Sequence, residues 1–484
     1  MRNLSCSSFW LWRLKQSATV ELRRKQHKKN WESLPGGGTS GLQKKYVSGD
    51  LPDLKGKRKM KIGIVGSGIS GLGAAYHLKT KLGYDVEIFE KNDYVGGHTN
   101  TILLEEEGRS VPVDTGFIVF NNRTYPELIS LFDELDVESQ ESDMSFSVWN
   151  LKSGLEWSGI GFKGLFSQKR NLLNPAFVSM LMSAKRFFKE GARDFEGLDP
   201  DLSIGDYLKQ RGYSQYFCDN FVVPMASAVW STPMREMLDF PAGSLLRFFK
   251  NHGMLDIEKT VVWRTLMGGS WSYVKAIRER ADLKIHTSTP TREVRKTENG
   301  AAIVTDSGTH EFDAVLMACH SDQAVRLYSD MPESHRRILS LFKYQKNQAI
   351  LHSDEKAMPT RKSAWASWNF KVTDDERTCT VYWMNKLQNL EQQGARKNYM
   401  VSINEFQDLD ESKIHRVIDY EHPLFDVQAV THQKDLLRIN HEGPVHYCGA
   451  YFRYGFHEDG FWSGLQAAKA LDERLKNQRT LAEA

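Results

Sequence analysis

The chain has 484 residues but only five cysteines, Cys6, Cys218, Cys319, Cys379 and Cys448, and no two of them have CxxC spacing. With no HExxH either, the sequence offers no disulfide framework and no metal site, and a reducing compartment is expected. Long apolar runs are also missing. No stretch approaches the roughly 20 residues that span a bilayer, so membrane contact is expected to be peripheral at most. The apolar run Phe9 to Leu14 is short and broken by Arg13, which argues against a secretory signal. The closing Leu-Ala-Glu-Ala is not a peroxisomal address. There is no internal repeat.

A large net charge is lacking too, since the total is +3. Its distribution is uneven: residues 1–60 carry 14 Lys or Arg against 4 Asp or Glu, and the remainder carries 50 against 57. The basic character therefore belongs to a leader, residues 1–58, and nucleic acid is not an expected partner of the body. The leader reads as a mitochondrial or plastid targeting sequence, or as a disordered arm on a soluble cytoplasmic protein. Pro35-Gly36-Gly37-Gly38 marks a joint within it. The folded body is expected to begin near Lys59, and at 40% hydrophobic residues it can bury one large core or two coupled ones.

What is present is glycine in three places. Lys61-Ile62-Gly63-Ile64-Val65 reads as a buried parallel strand and Ala74 to Leu78 as part of a helix, with Gly66-Ser67-Gly68-Ile69-Ser70-Gly71 between them. In a strand-to-helix turn Gly66 allows the bend, Gly68 admits a pyrophosphate to the backbone amides, and Gly71 lets helix and strand pack closely. A second strand, Asp85 to Phe89, ends at Glu90, 19 residues past Gly71, close to the spacing of a carboxylate that accepts ribose hydroxyls. These parts alone would serve a nicotinamide dinucleotide. The segment Glu90-Lys91 to Gly96-Gly97-His98-Thr99 and the last one, Cys448-Gly449-Ala450 with Glu458-Asp459-Gly460 to Gly464, would then be unexplained.

Those two segments resemble the acid-to-double-glycine signature and the last strand and closing helix of two-dinucleotide-binding-domain flavoproteins. That superfamily includes amine oxidases, phytoene desaturases and protoporphyrinogen oxidases. The resemblance implies an α/β fold: a discontinuous Rossmann-type domain binding non-covalent FAD, with an inserted α+β substrate domain. It implies cofactor contacts from Gly66, Ser67, Gly68, Ile69, Ser70, Gly71, Glu90, Lys91, Gly96, Gly97, His98, Thr99, Gly449, Ala450, Asp459 and Gly460. Many members have Arg where His98 stands, which removes a permanent charge here. A helix is expected to start near Gly460, with its N-terminus favouring negative charge on the flavin. Cys448 is expected to pack rather than attach to flavin.

Val113 to Asn121, Pro224 to Ser231, Asn251 to Leu255, Gly268-Gly269-Ser270 and Tyr454 to Gly460 resemble a narrower group, the flavoprotein half of plant cyclopropane fatty acid synthases and its stand-alone bacterial relatives. The likeness runs from about Lys61 to about Leu475, and the chain resembles the stand-alone form. It implies FAD-dependent hydride abstraction from an apolar substrate, such as an unsaturated or modified fatty acyl chain, with a lipid methyltransferase as a partner. Amine oxidation and a non-catalytic flavin-binding role beside such a methyltransferase are the alternatives.

The expected division assigns residues 59–120, 250–325 and 430–478 to the cofactor domain and 121–249 and 326–429 to the substrate domain. Phe177 to Met182 with Phe187-Phe188 reads as an amphipathic helix, and Ser203 as a helix cap. The residues expected to shape the pocket are His457, with Tyr454 just before the closing helix, and His252, a potential proton relay. His457 and His252 each have a plain structural alternative, and for His252 that is a turn histidine capping a carbonyl. Phe217 to Phe249 is an apolar, aromatic stretch that suits either a lipid-sized tunnel or helix packing.

Overall fold

The computed structural model describes residues 59–255, 261–373 and 378–483, so the basic leader and its glycine joint lie outside the described residues. Five short strands form a parallel sheet in the order Lys284–His286, Asp85–Phe89, Lys61–Val65, Ala314–Met317, Val445–Tyr447. Successive side chains of a strand point to opposite faces, and this sheet uses both. Ile62, Ile64, Val86, Ile88, Ala314 and Leu316 face a helical layer. Val65, Phe89, Val315 and Met317 face the opposite core, with Ile303 and Phe312. Those last two come from the three-stranded antiparallel sheet Thr291–Lys296, Ala301–Thr305, Gly308–Phe312. Burial on both sides is why the strands read as continuous apolar runs.

The helical layer includes Ile69–Thr80, Pro126–Glu134, Trp271–Ala281 and the closing helix, and it brings the first and last of the three glycine segments together. The closing helix runs from His457 to Glu483, three residues earlier than the expected start near Gly460. The reason is that Glu458 and Asp459 each find backbone amides to accept, which makes them a stable first turn.

A second sheet of seven strands runs Ile414–Leu424, Lys343–His352, Met400–Ile403, Thr378–Trp383, Trp368–Val372, Phe146–Asn150, Leu155–Ser158. It is antiparallel except where Trp368–Val372 lies parallel to Phe146–Asn150. Its helical companions include Pro175–Asp194, Ile204–Gln210, Val223–Trp230 and Ala242–Asn251. The cap at Ser203 is present, its hydroxyl accepting from the Asp206 amide at 3.1 Å. The aromatic stretch Phe217 to Phe249 fills this layer's own core: Phe217, Val222, Leu245, Leu246 and Phe249 are all buried together. Packing, not an open tunnel, accounts for those five side chains.

Candidate active site

Strand Lys61–Val65 delivers the chain into a bend at Gly66, which has φ +101. A Cβ there would lie 2.5 Å from the Ala318 carbonyl oxygen, and one on Gly71 would lie 2.1 Å from that of Gly66. Both are backbone collisions, so glycine is required by packing. Gly68 is different: its φ of −67 suits any residue, and a Cβ there would meet nothing within 4 Å. The open space lies at the N-terminus of helix Ile69–Thr80, whose first amides, those of Ile69, Ser70 and Gly71, have no intrahelical acceptor.

The double glycine closes on this turn. Gly96 has φ +128 and Gly97 φ +62. The Gly96 amide donates to the Ser67 carbonyl at 3.1 Å, and a Cβ on Gly97 would stand 3.1 Å from the Gly68 Cα. Glu90 is buried, with one carboxylate oxygen accepting from the Ser67 amide at 2.9 Å and hydroxyl at 2.7 Å. The other accepts from the Asn92 amide at 2.9 Å and keeps one lone pair for a further donor. Lys91, next along, is exposed.

The third segment packs on the same helix from outside. A Cβ on Gly464 would lie 2.3 Å from the Ser70 carbonyl oxygen, and one on Gly460 would lie 2.9 Å from Ile69. Gly460 thus serves helix-to-helix approach. Gly449 donates its amide to Ser463 Oγ at 2.9 Å, which ties the last strand to the closing helix, and Ala450 opens a short 3-10 turn. Cys448 is buried, and burial holds its thiol protonated, with a pKa well above the ordinary value.

Around this frame the side chains divide into two groups. Thr99 Oγ1, Tyr273 OH and His457 Nε2 form a closed triangle with sides of 2.5, 2.8 and 2.9 Å. The His457 ring also stacks on Phe117 at 3.9 Å, and desolvation holds its pKa well below the ordinary value. The second group is an aromatic wall. Trp230 lies 4.7 Å from Phe248, Phe248 5.0 Å from Phe456 and 3.8 Å from His252, and Tyr454 6.0 Å from Phe248. His252 and Tyr454 therefore share one wall, while His457, one residue past Phe456, faces the other way. His252 Nδ1 donates to the Phe248 carbonyl at 2.9 Å, which leaves Nε2 with the lone pair. Burial lowers its pKa to about 4.

His98 stacks on Tyr420 at 4.7 Å, and its buried Nε2 has no hydrogen-bond partner among the described residues. Desolvation brings its pKa to about 4, so it is neutral where an Arg would be charged. Glu458 and Asp459 have their own work in the fold. Glu458 accepts the amides of Glu127 and Leu128, both at 3.0 Å, capping helix Pro126–Glu134. Asp459 Oδ2 accepts those of Tyr454 at 3.2 Å and Phe456 at 2.9 Å. Burial raises Glu458 to about 6 and Asp459 to about 7.

For Asp459 the folded pKa lies above the unfolded one, so its contribution is fully present below about pH 4 and is lost as pH rises through 7. Asp459→Asn keeps an oxygen for the two amides and cannot ionise. The expected gain in unfolding free energy is on the order of 2 kcal/mol larger at pH 8 than at pH 5. Equal gains at both pH values in urea titrations would disprove the assignment.

Tyr273, Phe117 and Ser463 are missing from the candidates read from sequence. Phe117 lies inside the quoted segment Val113 to Asn121, Tyr273 lies three residues past Gly268-Gly269-Ser270, and Ser463 directly precedes Gly464. Another omission, Asp114, explains the Gly268-Gly269-Ser270 motif. Its buried carboxylate accepts from the Ser270 amide at 2.9 Å and hydroxyl at 2.8 Å, and burial raises it to about 6.

Open space at Gly68, first-turn amides without an intrahelical acceptor and a carboxylate with a spare lone pair suit a dinucleotide. With the second and third glycine segments locked onto the first, the class is that of FAD-dependent oxidoreductases with a two-dinucleotide-binding fold. The chain belongs to the flavin-containing amine oxidoreductase family, whose model matches residues 69–472. It is 61% identical over 299 residues to the 1-hydroxycarotenoid 3,4-desaturase of Flavobacterium sp. (strain P99-3), a match covering 54% of this chain and 56% of that protein. The chain thus spans little more than half the length of that relative. A triple mutant of putrescine oxidase with redesigned cofactor binding superposes at a TM-score of 0.61 and 17% identity, covering 86% of this chain and 99% of that one. A CLA-producing fatty acid isomerase from P. acnes superposes at 0.57 and 13%, covering 85% and 98%. At these identities the likeness is one of fold.

Proposed function

We propose that this oxidoreductase removes two hydrogens from adjacent carbons of an apolar, acyl-type chain. The observation that carries this reading is the ring cluster at the border of the second core, where Tyr454 and Phe456 are only half-buried over Trp230, Phe248 and His252, and whose one basic member is held neutral by burial. A wall of rings without a formal charge offers dispersion contacts to a hydrocarbon and no ion pair to an ammonium. The desaturase and isomerase names among the relatives agree with such a substrate, as does the resemblance to the flavoprotein half of cyclopropane fatty acid synthases. A lipid methyltransferase is the partner that resemblance proposes.

Gly66 to Gly71, Glu90 and Gly96-Gly97 would hold FAD, which when bound supplies the acceptor for a hydride. The residues of this chain then have two tasks. The rings exclude water and lay the substrate carbons in one plane. A hydride lost from one carbon leaves the neighbouring carbon acidic, and loss of its proton forms the double bond. His252 Nε2, which carries the lone pair, is the acceptor we assign for that proton.

The test is anaerobic loss of flavin absorbance, with a panel of free and phospholipid-linked acyl chains beside a panel of amines. Bleaching by an acyl chain is expected, and it should slow by about a hundredfold in His252→Gln while bound FAD stays constant. Bleaching by an amine alone would replace this reading with amine oxidation. No bleaching by either, in protein carrying FAD, would leave the non-catalytic role beside a methyltransferase.

A further inference from the structure

Helix Pro175–Asp194 buries Phe177, Met180, Ala184 and Phe187 against the second core. Its outer face is unusual. Val178, Met182, Lys185 and Lys189 fall on one exposed stripe, since steps of four, three and four residues keep to one side of a helix. Met182 is 66% exposed, and Leu173, at the end of the 3-10 turn leading into the helix, is 89% exposed. Leu172 beside it and Phe162, whose ring packs on Phe166 at 4.6 Å, are exposed as well. Of the eleven large apolar residues exposed among the described residues, five lie between 162 and 182. Isolated exposed apolar residues need no explanation, but a cluster within some twenty residues does.

The charge of the same segment is one-sided. Residues 157–189 contain Lys163, Lys169, Arg170, Lys185, Arg186 and Lys189 and no Asp or Glu, in a body that is otherwise acidic. A cleft of about 610 Å³ is lined by Lys169, Arg170 and Arg361 together with the buried Glu156, which pairs with Arg361 at 3.2 Å and leaves the lining net positive. Apolar tips ringed by long basic side chains match one partner chemistry: hydrocarbon below and anionic headgroups above. Lysines at the far end of the stripe can reach the headgroups while the near end inserts.

We propose that this surface, Phe162 to Lys189, seats the protein on the face of an anionic lipid bilayer. The inference stands apart from the substrate reading, since it rests on the outer face of the helix and not on the aromatic wall.

Full-length, FAD-loaded protein is sedimented with vesicles of phosphatidylcholine, with and without phosphatidylglycerol. Wild type is expected to bind the anionic vesicles. Leu173→Ser with Met182→Ser should weaken binding to both kinds by about tenfold, whereas Lys185→Glu with Lys189→Glu should weaken only the anionic kind and remove its salt dependence. All four side chains are exposed, so bound FAD and the thermal midpoint should not move. No binding by wild type, or equal binding by wild type and both variants, would overturn the proposal; the second result would assign contact to another segment, such as the basic leader. A dimer of wild type that the serine pair dissociates would overturn it too and make this face a self-interface.

Discussion

Gly68→Ala is expected to leave the fold standing and strip it of FAD, whereas Gly71→Ala is expected to lose both. The two glycines are three residues apart in one turn, but a Cβ meets different things at each. At Gly68 it enters open space beside the first-turn amides, with no protein atom within 4 Å, and φ is unstrained. Two charge-assisted hydrogen bonds pushed out of range there cost about 3 kcal/mol, on the order of a hundredfold in affinity. At Gly71 the Cβ would lie 2.1 Å from the Gly66 carbonyl oxygen, so strand and helix must part. Flavin content after gel filtration and the midpoint of thermal unfolding separate the outcomes. A Gly68→Ala protein that purifies with a full complement of FAD would refute this placement of the pyrophosphate.

Stability should collapse in mild acid, and six buried or half-buried histidines are the cause. Burial lowers His98, His252, His320 and His352 to about 4 and His422 and His446 to about 3. For a lowered folded pKa the sign runs opposite to that of Asp459: stability is present above the unfolded value of about 6.5 and is lost as pH falls, because only the unfolded chain takes up protons. Each group then costs about 2 kcal/mol between pH 6.5 and 5. Asp114, Glu458 and Asp459 push the other way over the same window, but six histidines outweigh three carboxylates. Urea midpoints should therefore fall steeply from pH 7 to 5. His446, whose two ring nitrogens both lack hydrogen-bond partners among the described residues, makes the sharpest variant: His446→Leu should flatten that slope and raise stability at pH 7. A flat wild-type profile would contradict the burial of these rings.

The parts of the fold legible in sequence are those set by neighbours along the chain. Lys61–Val65 and Asp85–Phe89 fall where their apolar runs place them, because a strand buried on both faces needs nothing but such residues and a turn at each end. Dinucleotide binding was legible for the same reason, as one strand, one turn and one helix, while the choice of FAD came from the resemblance carried by the second and third glycine segments. Features depending on distant partners were not. Gly96-Gly97 reads as a flavin contact, and its backbone packs on Ser67 and Gly68. The start of the closing helix slipped by a turn because Glu458 takes its amides from Glu127 and Leu128, which nothing near it in sequence announces. Phe217 to Phe249 stayed ambiguous because a tunnel lining and a helix core share one periodicity. Helix Pro175–Asp194 was read from its buried stripe, and the apolar residues on its other face carried no such signal.

The interlocking of the three glycine segments bears on how the protein is made. Strand Val445–Tyr447 completes the parallel sheet and Gly464 locks onto Ser70, so the nucleotide turn near residue 66 stays unfinished until Gly464 has left the ribosome. A nascent chain must carry helix Ile69–Thr80, apolar on most sides, through the synthesis of almost four hundred further residues without that mate. Cofactor loading is then a late event, and an arrest of synthesis before residue 445 would yield a chain unable to close its cradle.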